Sequence, residues 1–265
     1  MSIYRSAAGE AIILAMYDRQ VAALGTVDER VVETRFGPTH VLITGPQDAP
    51  PLVLLHGSHA TAPYSLRTVL PLADHYRVYA PDIMGHPGRS ASKFLPPRDL
   101  SYGRWIGDVL EALRLGAVPV VGLSFGAGVI LRLAAYAPEA ITAAALVVPA
   151  GVISPPMFPM IARMALPMLA YRRLPTRERL LRVVRLLADP VKEEHLGMVG
   201  AIFDHVKLEP GWPRPATRRE LVDLTAPVLV LAADQDVYFP AARVIPRVLW
   251  LFQHLAAAEV ITNCT

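Results

Sequence analysis

Short apolar runs alternate with longer amphipathic segments along most of this chain. From Leu52 onward the runs favour buried parallel strands, because uninterrupted apolar stretches suit strands that are covered on both faces. The predicted strands are 52–55, 77–80, 118–121, 144–148, 228–231 and 258–261. Helices are predicted over 102–115, 127–137 and 241–255, where Gly, Pro or Ser bounds each helical pattern. The chain is therefore predicted to adopt an α/β fold, with a mostly parallel sheet and helices on both faces.

The first residues of the chain follow a different pattern. Ser6 is placed to cap a helix over 8–24. Two β-rich runs, 30–36 and 39–44, flank Gly37-Pro38 and indicate a hairpin. An N-terminal helix and a hairpin are thus expected to precede the parallel strands.

A long stretch between two predicted strands, residues 151–215, breaks the alternation. It contains methionines and prolines and then the helix-like segment 176–187. We expect a helical cap inserted into the fold, and not a second domain with a core of its own. The chain is accordingly divided into residues 1–150, which hold the N-terminal helix, the hairpin and the first part of the core; 151–215, the cap; and 216–265, the remainder of the core without its final loop and helix.

Composition and charge argue against several classes of function. The 265 residues are 53% hydrophobic, enough for a sizeable core, and 26 basic against 23 acidic residues give a net charge of +3. Apart from short groups such as Arg172-Arg173 and Arg218-Arg219 the basic residues are spread out, which argues against a nucleic-acid partner. Cys264 is the single cysteine and cannot form an intramolecular disulfide, so we expect a cytoplasmic protein. Residues 140–162 lack charge but contain four prolines, so no membrane-spanning helix is expected there.

The strongest chemical signal is the pentapeptide Gly122-Leu123-Ser124-Phe125-Gly126, which lies between a predicted strand and a helical run. Its glycines permit a strained strand-to-helix turn that exposes the serine hydroxyl. The N-terminus of the following helix aims backbone N–H groups at developing negative charge. Ser124 is therefore predicted to be a nucleophile; the alternative is a serine in a tight glycine turn.

The segment from His56 to His59 follows the first predicted parallel strand. In acyl-transfer enzymes of this plan, a backbone N–H from the loop after that strand joins the N–H that follows the nucleophile to make an oxyanion hole. The amides of Ser58 and Phe125 are predicted to be these donors. For the His56 side chain we favour a role in holding the loop by hydrogen bonds. His59 either lines the pocket or is a solvated loop histidine.

Two aspartates follow the predicted strand 228–231. An acid just past a strand end can orient a histidine and stabilise its protonated form. Asp236 is the predicted triad acid. Asp234 is the alternative, or else it is a solvated turn carboxylate.

Together these residues resemble the α/β-hydrolase superfamily, and the resemblance covers the chain from Arg30 onward. The family pattern is matched in order and spacing by His56-Gly57, the mainly structural turn 82–90, the elbow 122–126 and the segment 236–240. The opening helix, with residues 36–41 and Gly45-Pro46, is similar to a bacterial carboxylesterase branch of that superfamily. A serine at the elbow disfavours the aspartate-nucleophile relatives, the haloalkane dehalogenases and epoxide hydrolases.

The resemblance implies a serine hydrolase of small carboxylic esters with apolar groups, which works through an acyl-enzyme and needs no metal or organic cofactor. The cap suggests an adaptable apolar pocket, to which His59, Met157 and Met160 would contribute, because methionine fills irregular spaces. Alternatively, the methionines simply pack the cap against the core. A homo-oligomer is compatible with the sequence. A C–C bond hydrolase or an acyltransferase on the same scaffold would carry the same motifs.

The histidine base is the part of the pattern that is not found. The family order is Ser, then Asp or Glu, then His after the last strand. Only His254 follows Asp236, and it precedes the last predicted strand, at the sheet edge opposite Ser124. We expect a chain that is cut before its catalytic histidine. The alternatives are a non-catalytic binding protein with this fold and a variant that recruits His59 or His86 as its base.

Overall fold

A computed structural model describes residues 2–58, 60–156, 158, 161–187, 191–207 and 211–264. Within these ranges an eight-stranded sheet has the strand order β1-β2-β4-β3-β5-β6-β7-β8. The strands are β1 (Asp28–Thr34), β2 (Gly37–Thr44), β3 (Pro51–Leu55), β4 (Arg77–Pro81), β5 (Val118–Leu123), β6 (Ile141–Val147), β7 (Val228–Ala233) and β8 (Leu255–Ile261). The α-helices are α1 (Ala7–Ala22), α2 (Ala62–Thr68), α3 (Ser101–Leu113), α4 (Phe125–Ala134), α5 (Leu166–Arg173), α6 (Arg177–Val184), α7 (Glu193–His205) and α8 (Ala241–Leu251). None of the described helices combines the length and the apolar character needed to cross a membrane.

The sheet is mostly parallel, as predicted. β1 and β2 form the antiparallel hairpin around Gly37-Pro38, and β2 pairs antiparallel with β4. All other pairings, from β4 through β3, β5, β6 and β7 to β8, are parallel. Because the carboxyl ends of parallel strands meet at one edge of a sheet, the residues that follow β3, β5 and β7 are brought together there.

Both faces of the sheet are covered. Val53 and Leu55 of β3 belong to an apolar cluster with residues of α3, α4 and α8, whereas Leu52 and Leu54 pack in a second cluster with α1 and α2. Successive side chains of a strand point to opposite faces, so each face of β3 has its own helical cover. This double burial is the reason that the strand reads as an unbroken apolar run.

The last helix ends earlier than predicted. α8 stops at Leu251, and Leu255, which the helical pattern included, begins β8 opposite Val228. The alanines at 256–258 favour a helix by intrinsic propensity. Hydrogen bonding to β7 overrides that preference, so the final strand begins three residues before the predicted position 258.

The cap packs on the N-terminal residues. Ile3 and Ile13 share an apolar cluster with residues of α6 and α7, and the backbone N–H of Lys207 donates to the carbonyl of Ile3 at 2.8 Å. Ser6 caps α1 as predicted, because its hydroxyl accepts from the N–H of Gly9 at 3.0 Å. The cap therefore shares its apolar cluster with α1. The division of the chain into three parts stays a prediction.

Candidate active site

Ser124 lies at a strained turn between β5 and α4. Its backbone has φ 49° and ψ −108°, in a region that residues with a side chain rarely adopt. Its N–H donates to the carbonyl of Val147 at 2.8 Å, and its carbonyl accepts from Ala127 at 3.0 Å and Ala150 at 3.1 Å. These bonds to β6 and α4 hold the unfavourable conformation. The serine therefore has the geometry that the pentapeptide predicted.

The two glycines of the pentapeptide are required by close backbone approach. A Cβ atom on Gly122 would lie 2.6 Å from the amide nitrogen of Ala127, and one on Gly126 would lie 2.2 Å from the carbonyl oxygen of Leu55. Both distances are far below van der Waals contact with backbone atoms, which cannot swing aside as a side chain can. Gly126 thus lets α4 start directly against the end of β3.

We expect Gly126→Ala to destabilise the protein by about 1–3 kcal/mol or more, because the new methyl group must push β3 and α4 apart. Gly197→Ala in α7 is the matched control, since within the described ranges no neighbouring atom comes within 4 Å of its added Cβ. That variant is expected to gain about 0.5–1 kcal/mol from reduced backbone entropy. Urea unfolding midpoints measure both effects. Equal midpoints for Gly126→Ala and the unsubstituted protein would show that the turn can relax.

The predicted oxyanion donors lie beside the serine. Ser58 follows β3 and lines the same cavity as Ser124, and the position of a Cβ on Gly57 would be 3.5 Å from the Cβ of Ser124. Phe125 is the first residue of α4. The N–H groups of a first helical turn have no partner within the helix, and the helix dipole favours negative charge there. The arrangement suits a carbonyl oxygen bound above Ser124.

His56 holds the loop, as favoured from the sequence. Its Nε2 accepts from the backbone N–H of Ile83 at 2.9 Å, so the ring proton is on Nδ1, which donates to the carbonyl of Gly57 at 2.8 Å. The side chain is buried. His56 ties the loop after β3 to the residues after β4, and both of its ring nitrogens are bonded to backbone groups.

The turn 82–90 is a buried polar assembly. Asp82 is fully buried, and its Oδ2 accepts from the N–H of Arg89 at 2.9 Å and faces Nδ1 of His40 at 3.2 Å. Burial opposes the charge on His40, yet the carboxylates of Asp82 and Glu29 outweigh it and raise the His40 pKa. A Cβ on Gly88 would lie 2.5 Å from Cγ of Asp82. These contacts explain the glycine-rich sequence and give the turn a structural role.

Asp236 and Asp234 have different surroundings. Asp236 is half-buried, lines the Ser124 cavity, and accepts from the N–H groups of Tyr238 at 2.7 Å and Phe239 at 2.9 Å. Asp234 is exposed and accepts from the N–H groups of two residues just after β8, Asn263 at 3.0 Å and Cys264 at 3.1 Å. Of the two aspartates, Asp236 faces the serine, and Asp234 joins the ends of β7 and β8.

The two aspartates should affect the pH dependence of stability with opposite signs. Burial raises the pKa of Asp236, so above the ordinary aspartate pKa of about 4 the folded protein retains a proton that the unfolded chain has lost. Stability contributed by Asp236 therefore falls as pH rises through its folded pKa. The amides of Asn263 and Cys264 lower the pKa of Asp234, so its contribution is present above the ordinary pKa and is lost as pH falls.

Urea unfolding of the single variants at a series of pH values tests this opposition. Asp236→Asn should become progressively more stable than the unsubstituted protein as pH rises from about 4, the ordinary aspartate pKa. Asp234→Asn should be less stable than the unsubstituted protein by a constant amount above about pH 4, and this deficit should shrink as pH falls below that value. Parallel pH profiles for the two variants would contradict the assigned environments.

The cavity above Ser124 has a volume of about 140 Å³. Its other described lining residues are Ala60, Tyr64, Val148, Leu186, Leu187, His195, Met198, Val199, Trp212, Tyr238 and Phe239. The hydroxyl of Tyr64 and Nδ1 of His195 lie 2.8 Å apart and join α2 to α7 across the cavity. Burial lowers the pKa of His195, which favours the neutral imidazole. The cavity is thus largely apolar. Polar groups lie near its floor at Ser124 and in its roof, where Tyr64 and His195 meet.

The remaining predicted histidines lie elsewhere or are not described. His86 is buried, with its ring centroid 4.6 Å from that of Phe125. His254 directly precedes β8, and its carbonyl accepts from the N–H of Val228 at 2.9 Å, so it lies at the edge opposite Ser124 as predicted. His59, Met157 and Met160, the predicted pocket residues, lie outside the described residues. Two other methionines of the cap, Met164 and Met168, belong to its apolar cluster, which is the packing role given as the alternative.

This architecture matches known proteins over most of its length. The naproxen esterase (carboxylesterase NP) from Bacillus subtilis superimposes with a TM-score of 0.80 at 24% sequence identity, covering 96% of this chain and 90% of that one. The sequence pattern of a family described as alpha/beta hydrolase fold matches residues 50–174. The chain has the α/β-hydrolase fold. The predicted fold class is therefore confirmed.

Two curated proteins with similar sequences come from Bacillus subtilis (strain 168). The uncharacterised carboxylesterase nap is 35% identical over 124 residues, which are 47% of this chain and 41% of that protein. Carboxylesterase YbfK is 34% identical over 119 residues, which are 45% of this chain and 40% of that protein. The matching segments span about two fifths of the length of each relative. The predicted resemblance to bacterial carboxylesterases is confirmed.

Within the α/β-hydrolase fold, sequence reasoning found the residues that follow strands and missed those on helices. Ser58, Ser124 and Asp236 each follow a predicted strand, so topology alone groups them at one edge. His195 and Tyr64 are 131 positions apart and meet only because the cap folds over α2. No spacing rule links them, and because charged residues at 192–194 directly precede His195, its polar side chain does not stand out in the sequence.

Proposed function

We propose that this protein is a serine hydrolase of carboxylic esters that works through an acyl-enzyme. The observation that carries the proposal is the strained Ser124, which shares one apolar cavity with Ser58 and Asp236. Similarity to bacterial carboxylesterases supports the same reaction. A small apolar ester is the proposed substrate, because the cavity is small and its lining is mainly apolar. The single cysteine supports a cytoplasmic location.

Ser124 is the proposed nucleophile. Its Oγ bonds to the ester carbonyl carbon while its proton passes to a histidine base, and the carbonyl oxygen takes the negative charge. The amides of Ser58 and Phe125 donate hydrogen bonds to that oxygen. Donors of this kind each contribute about a hundredfold to a thousandfold in turnover, because they act on charge that develops only in the transition state.

The same groups, Ser124, the histidine and the two amides, then form the acyl-enzyme and hydrolyse it. The bond from the carbonyl carbon to the alcohol oxygen breaks, and the alcohol leaves with the proton held by the histidine. Water repeats the sequence, giving its proton to the histidine and releasing the carboxylic acid, and Ser124 regains its proton. Asp236 stabilises the histidine while that residue is protonated.

If the protein continues past Thr265, we propose that the histidine base enters just past β8. The N–H of Gln235 donates to the carbonyl of Cys264 at 3.0 Å, and Asp234 accepts from the N–H groups of Asn263 and Cys264. These bonds hold the chain after β8 against the loop that carries Asp236. A histidine following Thr265 would therefore come next to the Asp236 carboxylate and the Ser124 cavity.

A fluorophosphonate probe tests the nucleophile. The protein is expressed from its full reading frame, and we expect the probe to label Ser124 and Ser124→Ala to abolish labelling. Ser58→Ala is the matched control in the same cavity, and it should still be labelled because its backbone N–H is retained. An unlabelled Ser124 in the extended, folded protein would refute the hydrolase proposal and favour a non-catalytic binding protein.

A further inference from the structure

The outer face of the cap carries large apolar side chains in contact with water. Ile161, Leu166, Leu169 and Leu174 are 47%, 58%, 46% and 53% exposed. Ile161 begins a π-helical turn (Ile161–Ala165) that leads directly into α5. Leu166 and Leu169 lie on α5, and Leu174 follows its last residue. Soluble proteins rarely leave so many large apolar side chains exposed on one element, so this face indicates a contact with another apolar phase.

Arginines are interleaved with these apolar residues. Residues 158–187 contain seven arginines and one acidic residue, Glu178, so this stretch has a charge of +6. The whole chain is +3, and the remaining residues are therefore −3. The net positive charge is thus concentrated in residues 158–187, while the other 19 basic residues are spread along the chain. We call Ile161, Leu166, Leu169, Arg172 and Arg173 the cap face.

The opposite side of the same segment anchors it to the protein. Met164 and Tyr171 are buried, and the Tyr171 hydroxyl donates to the carboxylate of Asp204 in α7 at 3.1 Å. The side chains of Arg172 and Arg173 are exposed, and neither makes an ion pair or a hydrogen bond with another described residue. The anchored side fixes the orientation of the cap face, and its guanidinium groups are available to an anionic partner.

We propose that the cap face docks on the surface of a bilayer that contains anionic lipid. Leucine and isoleucine side chains enter the boundary between headgroups and acyl chains, while arginines bind lipid phosphates from the same helix. Each arginine near an anionic bilayer surface strengthens binding, and the cytoplasmic leaflet is such a surface. A nucleic acid would use the arginines and leave the leucines exposed. A second copy, self-paired across this face, would bring two basic surfaces together.

Docking on this face would leave the proposed active site beside the lipid. Leu186 and Leu187 lie just past the C-cap residue of α6 and line the Ser124 cavity, so the roof of that cavity belongs to the same cap segment. Apolar esters dissolved in the bilayer would be close to this roof. The docking itself does not depend on the proposed hydrolysis, and its test measures binding only.

Vesicle co-sedimentation tests the proposal. We expect the protein to sediment with vesicles of equal parts phosphatidylglycerol and phosphatidylcholine, and much less with phosphatidylcholine alone, and salt should weaken the binding. Arg172→Glu with Arg173→Glu should lower the partition coefficient at least about tenfold. The matched control, Arg218→Glu with Arg219→Glu, reverses two adjacent exposed arginines outside the cap. It should bind within about twofold of the unsubstituted protein.

A second pair of variants tests the apolar part. Leu166→Glu should also weaken vesicle binding, whereas Leu249→Glu on α8 should not, although Leu249 is 64% exposed. Circular dichroism and thermal melting establish that each variant is folded. Failure of the folded protein to bind anionic vesicles would overturn the proposal, and so would equal losses in cap and control variants. Tight binding of duplex DNA that Leu166→Glu leaves unchanged, or a dimer that Leu166→Glu dissociates without any vesicle binding, would also overturn it.

Discussion

Ester hydrolysis by residues 1–265 is expected to stay near the uncatalysed rate, and Ser124→Ala is expected to remove little of it. A serine hydroxyl of ordinary pKa is a poor nucleophile near neutral pH unless a base takes its proton. His254, the only histidine after Asp236, lies at the wrong edge of the sheet. Loss of the histidine in a serine-protease triad costs on the order of a millionfold in turnover.

The same assay on the protein extended along its reading frame provides the contrast. If a histidine follows Thr265, short p-nitrophenyl esters should be hydrolysed rapidly, and Ser124→Ala should then remove nearly all turnover. Rapid hydrolysis by residues 1–265 that disappears in Ser124→Ala would contradict the proposed position of the base. His195 would be the first residue to substitute, because it lines the cavity, followed by His86 and His59.

Asp236→Asn is expected to lower kcat of the extended, active protein by about ten thousandfold. The expected size comes from serine-protease triads, in which replacing the acid by its amide leaves the histidine in the wrong tautomer. The fold should persist, because the asparagine carbonyl oxygen can still accept from the N–H groups of Tyr238 and Phe239. Steady-state kinetics with p-nitrophenyl esters measure the loss.

Asp234→Asn distinguishes the two candidate acids. Its carboxylate accepts from the N–H groups of Asn263 and Cys264 and does not line the cavity described above Ser124. We expect it to lower kcat by less than about tenfold, since it removes no charge from beside the base, and to lower the midpoint of thermal unfolding. A larger kcat loss in Asp234→Asn than in Asp236→Asn would reverse the assignment.

The local elements of the fold follow from the sequence where periodicity and turn chemistry agree. Parallel strands buried on both faces leave unbroken apolar runs, and Gly37-Pro38 marks the hairpin. Where the helical pattern and pairing compete, the predicted boundary was wrong: the helix was expected to reach Leu255, and pairing with β7 makes that residue the start of a strand. Pairing partners are distant in sequence, so propensity carries no information about them.

The sequence by itself determined the class of the fold, the strained turn at Ser124 and the edge of the sheet at which Ser58 and Asp236 meet. Each depends on local chemistry: a glycine where no Cβ fits, and a residue that follows a strand. Only the tertiary structure decided that α1 shares an apolar cluster with the cap, that His195 meets Tyr64, and that Leu166 and Leu169 face outward while Tyr171 faces inward. These features arise from contacts between segments far apart in the chain, and burial on a cap helix depends on which side another helix covers.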